Sequence, residues 1–350
     1  MSEAQRILEL WKRATAANDE ICLATVVAVE GSAYRRPGAR MLLTSAGQRA
    51  GTVSGGCLEA EIAKKAWWLT ERGSSLQRYS SFFDDDGDMP YGLGCGGTVI
   101  VLLERGDLAV HSLEALRRSI ELRTESLIVT SLDPASAGTT LILDDAGDIV
   151  LNRNATPETL ALARQALKTG QSQQVEGFFL EHLAPPPSLI LFGAGDDALP
   201  LVDFTAALGW HVTVADDRSS LARPDRFARA AAVQNLDTAL ARVRPETAAV
   251  IMSHSYEQDR KVLRVLLPQD MKYIGVLGPR RRTERLLGEI APALELTPVE
   301  CLARLHTPVG LDLGGHSPAS IALSIAAELQ GVFTGRAFSR LSSPPPPVNV

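Results

Sequence analysis

One glycine-rich turn, set between a short apolar strand and a helix, constrains the fold of this chain more than any other feature. The predicted order is a strand at 188–192, the motif GAGDDA at 193–198, a helix at 199–208 and a second strand at 211–215. Further strand and helix signals alternate after it up to about residue 331. This order predicts a carboxyl-terminal Rossmann-like domain with a doubly wound parallel sheet.

The residues of this turn also indicate a ligand. In such a motif Gly193 makes the tight turn, Gly195 lets the backbone approach a pyrophosphate, and Ala198 lets the helix pack closely on the strand. Asp216 ends the second strand, about 20 residues after the motif begins, where an acid binds a ribose hydroxyl. Gly193, Gly195 and Asp216 are therefore candidate nucleotide contacts.

Two acids inside the motif favour an alternative. Asp196 and Asp197 lie at the predicted helix start, where free N–H groups and the helix dipole would otherwise receive phosphate. As N-caps they would satisfy the helix themselves, and the domain would then bind no ordinary dinucleotide. Both interpretations stay open at this stage.

A second candidate anion site follows a later strand. Arg280, which begins a run of three arginines at a predicted helix start, is suited to bind a phosphate, although such a run also forms solvated surfaces. His254, His306 and His316 are candidate acid–base groups, and no HxxxH or HExxH spacing links them as metal ligands.

Composition excludes several classes of protein. The chain has 350 residues, a net charge of −6 and 45% hydrophobic residues, so it can bury a substantial core and has no overall cationic field for nucleic acid or an anionic membrane. No apolar run approaches the roughly 20 residues that span a bilayer, and the amino terminus is charged. We therefore expect a cytoplasmic protein whose four cysteines are thiols.

The pattern along the chain predicts four segments. Before the Rossmann-like domain, strand and helix signals alternate in a mixed α/β amino-terminal domain, weaken in a connecting subdomain, and end at the stiff tripeptide 185–187, PPP. The segments are 1–105, 106–187 with its Pro-rich linker, 188–331, and a tail at 332–350 that we expect to be disordered at its end.

Glycine-rich loops in the first segment carry the strongest chemical signals. One loop holds Arg35, Arg36 and Arg40 among residues that permit unusual backbone angles, which is typical of an anion-facing loop. A second loop, Ser54–Gly55–Gly56–Cys57, ends a strand and opens a helix.

Successive N–H groups of this second loop form a potential anion nest, and the thiol of Cys57 would lie in the first helical turn, where the helix lowers a thiol pKa. Cys95 lies in a third glycine-rich segment, GLGCGG. The alternative for both cysteines is a small buried apolar side chain.

Together these motifs resemble a known family. The segments are GSAYRRPGARM, GTVSGGCLEAEI, GLGCGG, LILFGAGDDALPLVDFTAALGWHVTVADDR, YIGVLGPRRR and LHTPVGLDLGGHSPASIALSIAAELQ. They are similar to the XdhC/CoxI family of accessory proteins for xanthine dehydrogenase and related molybdenum hydroxylases. The resemblance spans residues 20–104 and 188–331.

The resemblance implies a chaperone that binds molybdenum cofactor (molybdopterin), supports its sulfuration and inserts it into apo-xanthine dehydrogenase or a related molybdenum hydroxylase. By this implication Cys57, with Cys95, contacts the molybdenum or its sulfur, Arg35, Arg36 and Arg40 bind the phosphate, and the protein is a homodimer that works with a cysteine desulfurase. The alternative from the residues alone is an NAD(P)-dependent oxidoreductase using Gly193, Gly195 and Asp216, and a protein-binding scaffold is a third possibility.

Overall fold

A computed structural model describes residues 1–56, 58–80, 97–175 and 177–339 of the protein. These residues divide into two compact units, 2–186 and the chain from 187 onward. Apart from Met1 and Pro187, the predicted segments 1–105 and 106–187 both lie in the first unit. In the described part of the chain no helix has the length and apolar character needed to cross a membrane.

The described residues of the first unit form two antiparallel sheets and four α-helices. The first sheet has the order β3-β2-β1-β5-β4 and the second β8-β7-β6-β10-β9. The strands are β1 (Ile21–Gly31), β2 (Arg40–Thr44), β3 (Arg49–Gly51), β4 (Ser75–Ser80), β5 (Gly97–Arg105), β6 (Ser126–Ser131), β7 (Gly138–Asp144), β8 (Ile149–Asn152), β9 (Gln173–Val175) and β10 (Phe178–Leu183). The helices are α1 (Glu3–Ala16), α2 (Glu59–Leu69), α3 (Gly106–Arg117) and α4 (Pro157–Thr169).

Strand β1 is almost continuously apolar because both faces of the first sheet are covered. Its alternate residues point to opposite faces. Ala24 and Val26 pack in a cluster with Ile62 of α2, whereas Leu23 packs on the other side with Leu10 of α1. The first sheet therefore forms the centre of its own core.

The segment predicted as a connecting subdomain builds a complete sheet. Its sequence gives only weak strand and helix signals, yet the structure forms the five strands β6 to β10 and the helix α4 there. All six residues of β6 are buried, but the apolar stretch in SLIVTS is only three residues long. Such a run is too short for a periodicity to show.

The second unit is a parallel five-stranded sheet with the order β13-β12-β11-β14-β15, which confirms the predicted Rossmann-like fold. Its strands are β11 (Ser188–Phe192), β12 (His211–Ala215), β13 (Ala232–Gln234), β14 (Ala248–Ile251) and β15 (Tyr273–Val276). Its described helices are α5 (Ala198–Ala207), α6 (Leu236–Leu240), α7 (Tyr256–Leu266), α8 (Arg280–Ile290), α9 (Pro298–Ala303) and α10 (Pro318–Thr334).

Helices cover both faces of this sheet. Leu201 of α5 and Ile325 of α10 pack in one core cluster, and Leu263 of α7 and Leu286 of α8 pack in the other. Strands β11, β12, β14 and β15 are consequently buried on both sides, which is typical of doubly wound folds, and the edge strand β13 is half-buried. The predicted tail, 332–350, begins inside α10, and its residues 340–350 lie outside the described residues.

Candidate functional site

Glycine-rich loops of the first unit meet at one end of its first sheet. A Cβ atom on Gly55 would lie 3.4 Å from the ring of Tyr34, so the loop after β1 packs on the loop after β3. Gly97, at the start of β5, pairs with Gly31, and a Cβ atom on it would lie 2.1 Å from the carbonyl oxygen of Ser32. The predicted residues Cys57 and Cys95 lie outside the described residues.

The three predicted arginines of the first loop have different environments. Arg35 forms an ion pair with Glu3. Arg40 is 6% exposed, and its guanidinium donates to both carboxylate oxygens of Glu181, at 2.7 and 2.5 Å. Arg36 is exposed and makes no ion pair with any described residue. Of the three, Arg36 offers a guanidinium to an incoming anion.

The predicted anion nest at Ser54 is filled in part by the protein itself. The Glu59 carboxylate accepts hydrogen bonds from the N–H groups of Val53 (3.1 Å) and Ser54 (2.9 Å), and from the Ser54 hydroxyl (2.6 Å). The Ser54 oxygen in turn accepts from the N–H groups of Gly56 and Leu58, each at 3.1 Å.

Burial raises the pKa of Glu59, but these hydrogen bonds outweigh it and hold the pKa below its usual value. The carboxylate therefore acts as an internal anion for the turn. Gly55 and Gly56 stay exposed at its surface, and Gly56 has a φ of +116°, a conformation that favours glycine.

In the second unit, Gly193 begins the turn after β11. Its φ is +131°, and a Cβ atom there would lie 2.4 Å from the carbonyl oxygen of Met252, at the end of β14. Only glycine fits, because any side chain would clash with this neighbouring strand. The turn thereby brings the Gly195 backbone to the carboxyl ends of the parallel strands.

Asp216 lies where predicted, at the end of β12, but its carboxylate is already bonded within the chain. It is 2% exposed and accepts from the Ala194 N–H at 2.9 Å. Arg218 donates to it through Nε at 2.9 Å and through Nη2 at 2.6 Å. Burial raises the pKa of Asp216, yet the hydrogen bonds from Arg218 and Ala194 hold it below the usual value. A ribose hydroxyl would have to displace Arg218.

Of the two interpretations that the sequence left open, the one in which Asp196 and Asp197 cap the helix with their side chains is wrong. Asp197 precedes α5, but no hydrogen bond joins its side chain to the helix N–H groups. Instead, the Asp197 carboxylate lies 2.7 Å from Nε2 of His254, and Asp196 pairs with Arg226 at 2.6 Å. Side chains from other elements, Arg226 and His254, therefore hold these two carboxylates in place of the helix end.

The sequence marks His254 as a candidate acid–base group but does not predict that it pairs with Asp197. It has a φ of +56°, a left-handed conformation uncommon for a residue with a side chain, and it lies beside Gly195. The backbone angle directs the imidazole to Asp197 on the adjacent loop. No local sequence signal identifies a left-handed histidine.

The arginine run at the start of α8 is divided between two environments. Arg280 is exposed and pairs with Glu284 on the same helix at 3.0 Å. Arg282 pairs at 2.6 Å with Asp259, a buried carboxylate that also accepts from the Ser253 hydroxyl. Burial raises the pKa of Asp259, and Ser253 and Arg282 oppose this rise.

The other predicted histidines do not join a metal centre. His306 contacts Glu328 at 2.7 Å and stacks on Tyr273, and His316 lies exposed before α10. Across the described ranges, no group of three or more His, Cys, Asp or Glu side chains is placed to hold a metal ion.

These features define a class of protein: an antiparallel α/β unit with clustered glycine loops, followed by a Rossmann unit. Comparison with known families identifies it further. The model of the XdhC and CoxI family matches residues 14–80, and the model of the XdhC Rossmann domain matches residues 189–329. A relative from Bacillus subtilis, named as a probable xanthine dehydrogenase subunit, is 32% identical over 323 residues, which cover 89% of this chain and 92% of the relative. The chain therefore belongs to the XdhC and CoxI family.

Two further relatives agree with this assignment. The Escherichia coli molybdenum cofactor insertion chaperone PaoD is 25% identical over 313 residues, which cover 89% of this chain and 82% of PaoD. A crystal structure described as a xanthine dehydrogenase from Bacillus halodurans superposes with a TM-score of 0.77 at 29% identity, and the match covers 98% of both chains.

Proposed function

We propose that this protein is a cytoplasmic accessory protein that binds molybdenum cofactor, supports its sulfuration and inserts it into an apo molybdenum hydroxylase such as xanthine dehydrogenase. One structural observation supports this role most directly: glycine-rich loops with an exposed arginine meet at one end of the first sheet. A cofactor with a phosphate and an oxygen- and sulfur-bound metal needs exposed cations, close backbone approach and thiols.

Residues of these loops divide into two proposed roles. Arg36 binds the phosphate of the cofactor, since Arg35 and Arg40 are held by Glu3 and Glu181. Cys57, with Cys95, contacts the molybdenum or its sulfur. Gly55 and Gly56 allow the ligand to approach the backbone, because an exposed glycine leaves no side chain in the way.

The Rossmann unit has its own proposed contacts. Gly193, Gly195 and Arg280 are the proposed phosphate contacts of this unit, and Asp216 would bind a ribose hydroxyl only after Arg218 releases it. NAD(P)-dependent oxidation would require that release. We therefore prefer cofactor delivery over the oxidoreductase alternative.

The thiol is tested first. Cys57→Ser should fold normally and retain less molybdenum after purification from cofactor-producing cells, because a hydroxyl is a poor molybdenum ligand that hardly ionises at pH 7. Elemental analysis measures the bound metal, and Cys301→Ala, at a fully buried cysteine of the second unit, is the control. Equal molybdenum content in Cys57→Ser and the unmodified protein would contradict the role.

The phosphate contact is tested by Arg36→Gln against Arg72→Gln, which removes another exposed arginine of the same unit. We expect Arg36→Gln to bind isolated cofactor about tenfold or more weakly, the effect of losing one charge-assisted hydrogen bond. Fluorescence of the pterin reports binding. If both variants bind equally well, Arg36 is not the phosphate contact.

Delivery is tested with the client enzyme. The isolated protein should turn over no purine or aldehyde, and should raise the activity of apo-hydroxylase when cofactor is present. Hydroxylase activity in a preparation free of client would contradict the proposal. Light scattering tests the proposed homodimer, and co-purification with a cysteine desulfurase tests the proposed sulfur donor.

A further inference from the structure

A cavity of about 800 Å³ opens within the first unit, and none of the roles proposed above uses it. The start of β7 and the ends of β6 and β8 line it from the second sheet, and the end of β5 and the residues before β4 line it from the first. Its volume lies within the range of about 300–1,000 Å³ that small-molecule sites occupy.

Two arginines lie in the cavity wall. Arg105 and Arg153 line it from different sheets, with Asp107 as the one carboxylate among its lining residues. Arg105 is held in place by Glu20 at 2.6 Å and lies 4.9 Å from the ring centre of Trp67. Arg153 is exposed and makes no ion pair with any described residue. The charge of Arg105 is therefore already paired, and Arg153 is the guanidinium of the two that is available to a ligand.

Uncapped donors add to this charge. The amino end of α3 lies at the wall through Asp107 and Leu108, and no side chain caps its N–H groups. His111 donates from Nδ1 to the carbonyl oxygen of Asp107 at 2.5 Å, which leaves its Nε2 for a ligand. Ser74 also lines the cavity.

Apolar side chains complete the wall. Leu108, Leu151 and Phe178 line the cavity beside the polar groups. A few oriented polar groups within a partly apolar concave surface are typical of a site for a small organic molecule.

We propose that this cavity binds a small organic anion, whose phosphate monoester or carboxylate pairs with Arg153 and the uncapped N–H groups at the start of α3 and whose flat apolar part packs on Phe178 and Leu151. The inference is independent of cofactor delivery, since it uses none of the loop residues assigned to that role. A phosphate monoester and a carboxylate share the oxyanion chemistry that a guanidinium group and free N–H groups recognise.

Calorimetry on the full chain tests the proposal with 5′-AMP, benzoate and inorganic phosphate at low ionic strength. We expect 5′-AMP or benzoate to bind more tightly than inorganic phosphate, because only they fill the apolar part. Arg153→Gln should weaken that binding about ten- to a hundredfold, and Arg153→Lys should weaken it less. Arg164→Gln, at an exposed arginine of α4 outside the cavity, is the matched control and should bind like the unmodified protein.

Three results would overturn the proposal. They are no binding of any probe at millimolar concentration, inorganic phosphate binding as tightly as the two organic anions, or unchanged binding in Arg153→Gln. Thermal denaturation of each variant checks that it is folded. Client activation is not a readout here, so failure of this proposal and failure of cofactor delivery give separate results.

Discussion

The buried ion pair between Arg40 and Glu181 offers the sharpest test of how the first unit is held together. Arg40 belongs to the first sheet and Glu181 to the second, and both side chains are less than a tenth exposed. Glu181→Gln would leave the guanidinium buried without a counter-charge. Breaking a buried pair in this way costs about 3–5 kcal/mol, since the remaining charge is not solvated.

For a unit of this size, each kcal/mol lowers the melting temperature by about 2–4 °C, so the expected decrease is roughly 6–20 °C. Trp210 is the one tryptophan of the chain outside residues 2–186. With Trp210→Phe as background, tryptophan fluorescence therefore reports unfolding of the first unit alone. Urea and thermal denaturation then give the free energy of unfolding.

Two further variants make this prediction specific. Glu30→Gln breaks the ion pair with Arg78, in which both side chains are more than half exposed, and should cost under about 1 kcal/mol. The double variant Arg40→Met with Glu181→Leu removes both charges and should be more stable than Glu181→Gln, because hydrophobic replacement of a buried pair is often neutral or stabilising. The reasoning fails if Glu181→Gln costs no more than Glu30→Gln.

Three other predictions concern the second unit. Burial raises the pKa of Glu328, but its hydrogen bonds, the one with His306 first, hold the pKa below the usual 4.5. Ionised Glu328 therefore stabilises the fold above about pH 4.5, and this stabilisation should be lost as the pH falls below that value. Urea denaturation between pH 3 and pH 6 should show the loss in the unmodified protein but not in Glu328→Gln. Gly193→Ala should destabilise the protein by several kcal/mol because the added Cβ would clash with Met252. Gly288→Ala, inside α8, adds a Cβ that meets open space and should stabilise the protein by up to about 1 kcal/mol. Equal effects of the two variants in thermal denaturation would contradict the close approach of Gly193 to Met252. NAD⁺ and ATP should bind more weakly than about 1 mM by calorimetry, with Mg²⁺ and with chelator, and micromolar binding would show that the ribose-binding carboxylate is free.

Sequence patterns predicted the second unit far better than the first. The bounds of β11 and β12 agree with prediction because both are apolar, and proline or glycine lies close to their ends. Strand β4, SLQRYS, was missed because it is an edge strand with one buried residue, and an edge strand need not be apolar. Strand β10 was missed because it pairs with β6, far earlier in the chain, and β9 was missed because it is an edge strand of only three residues.

The candidate sites follow the same division. The position of Asp216 at a strand end was predictable from local order, but its capture by Arg218 is a competition between side chains that no spacing rule describes. Arg40 and Glu181 are 141 residues apart, so their pairing depends on the contact between two sheets. Sequence thus locates the loops that approach a ligand, and tertiary contacts decide which of their charges are left to bind one.

The segment after α9 also determines how the second unit behaves toward other chains. The N–H of His306 donates to the Ile274 carbonyl, and the His306 carbonyl accepts from the N–H of Val276. His306 therefore pairs with β15 as a one-residue parallel β-bridge. Strand β15 is an edge strand of the sheet, and this bridge occupies hydrogen-bonding groups on its unpaired edge. The unpaired edge of a strand can pair with a strand of another molecule, which leads to aggregation. Because its own chain occupies part of this edge, the parallel sheet is protected from adding a strand of another molecule next to β15.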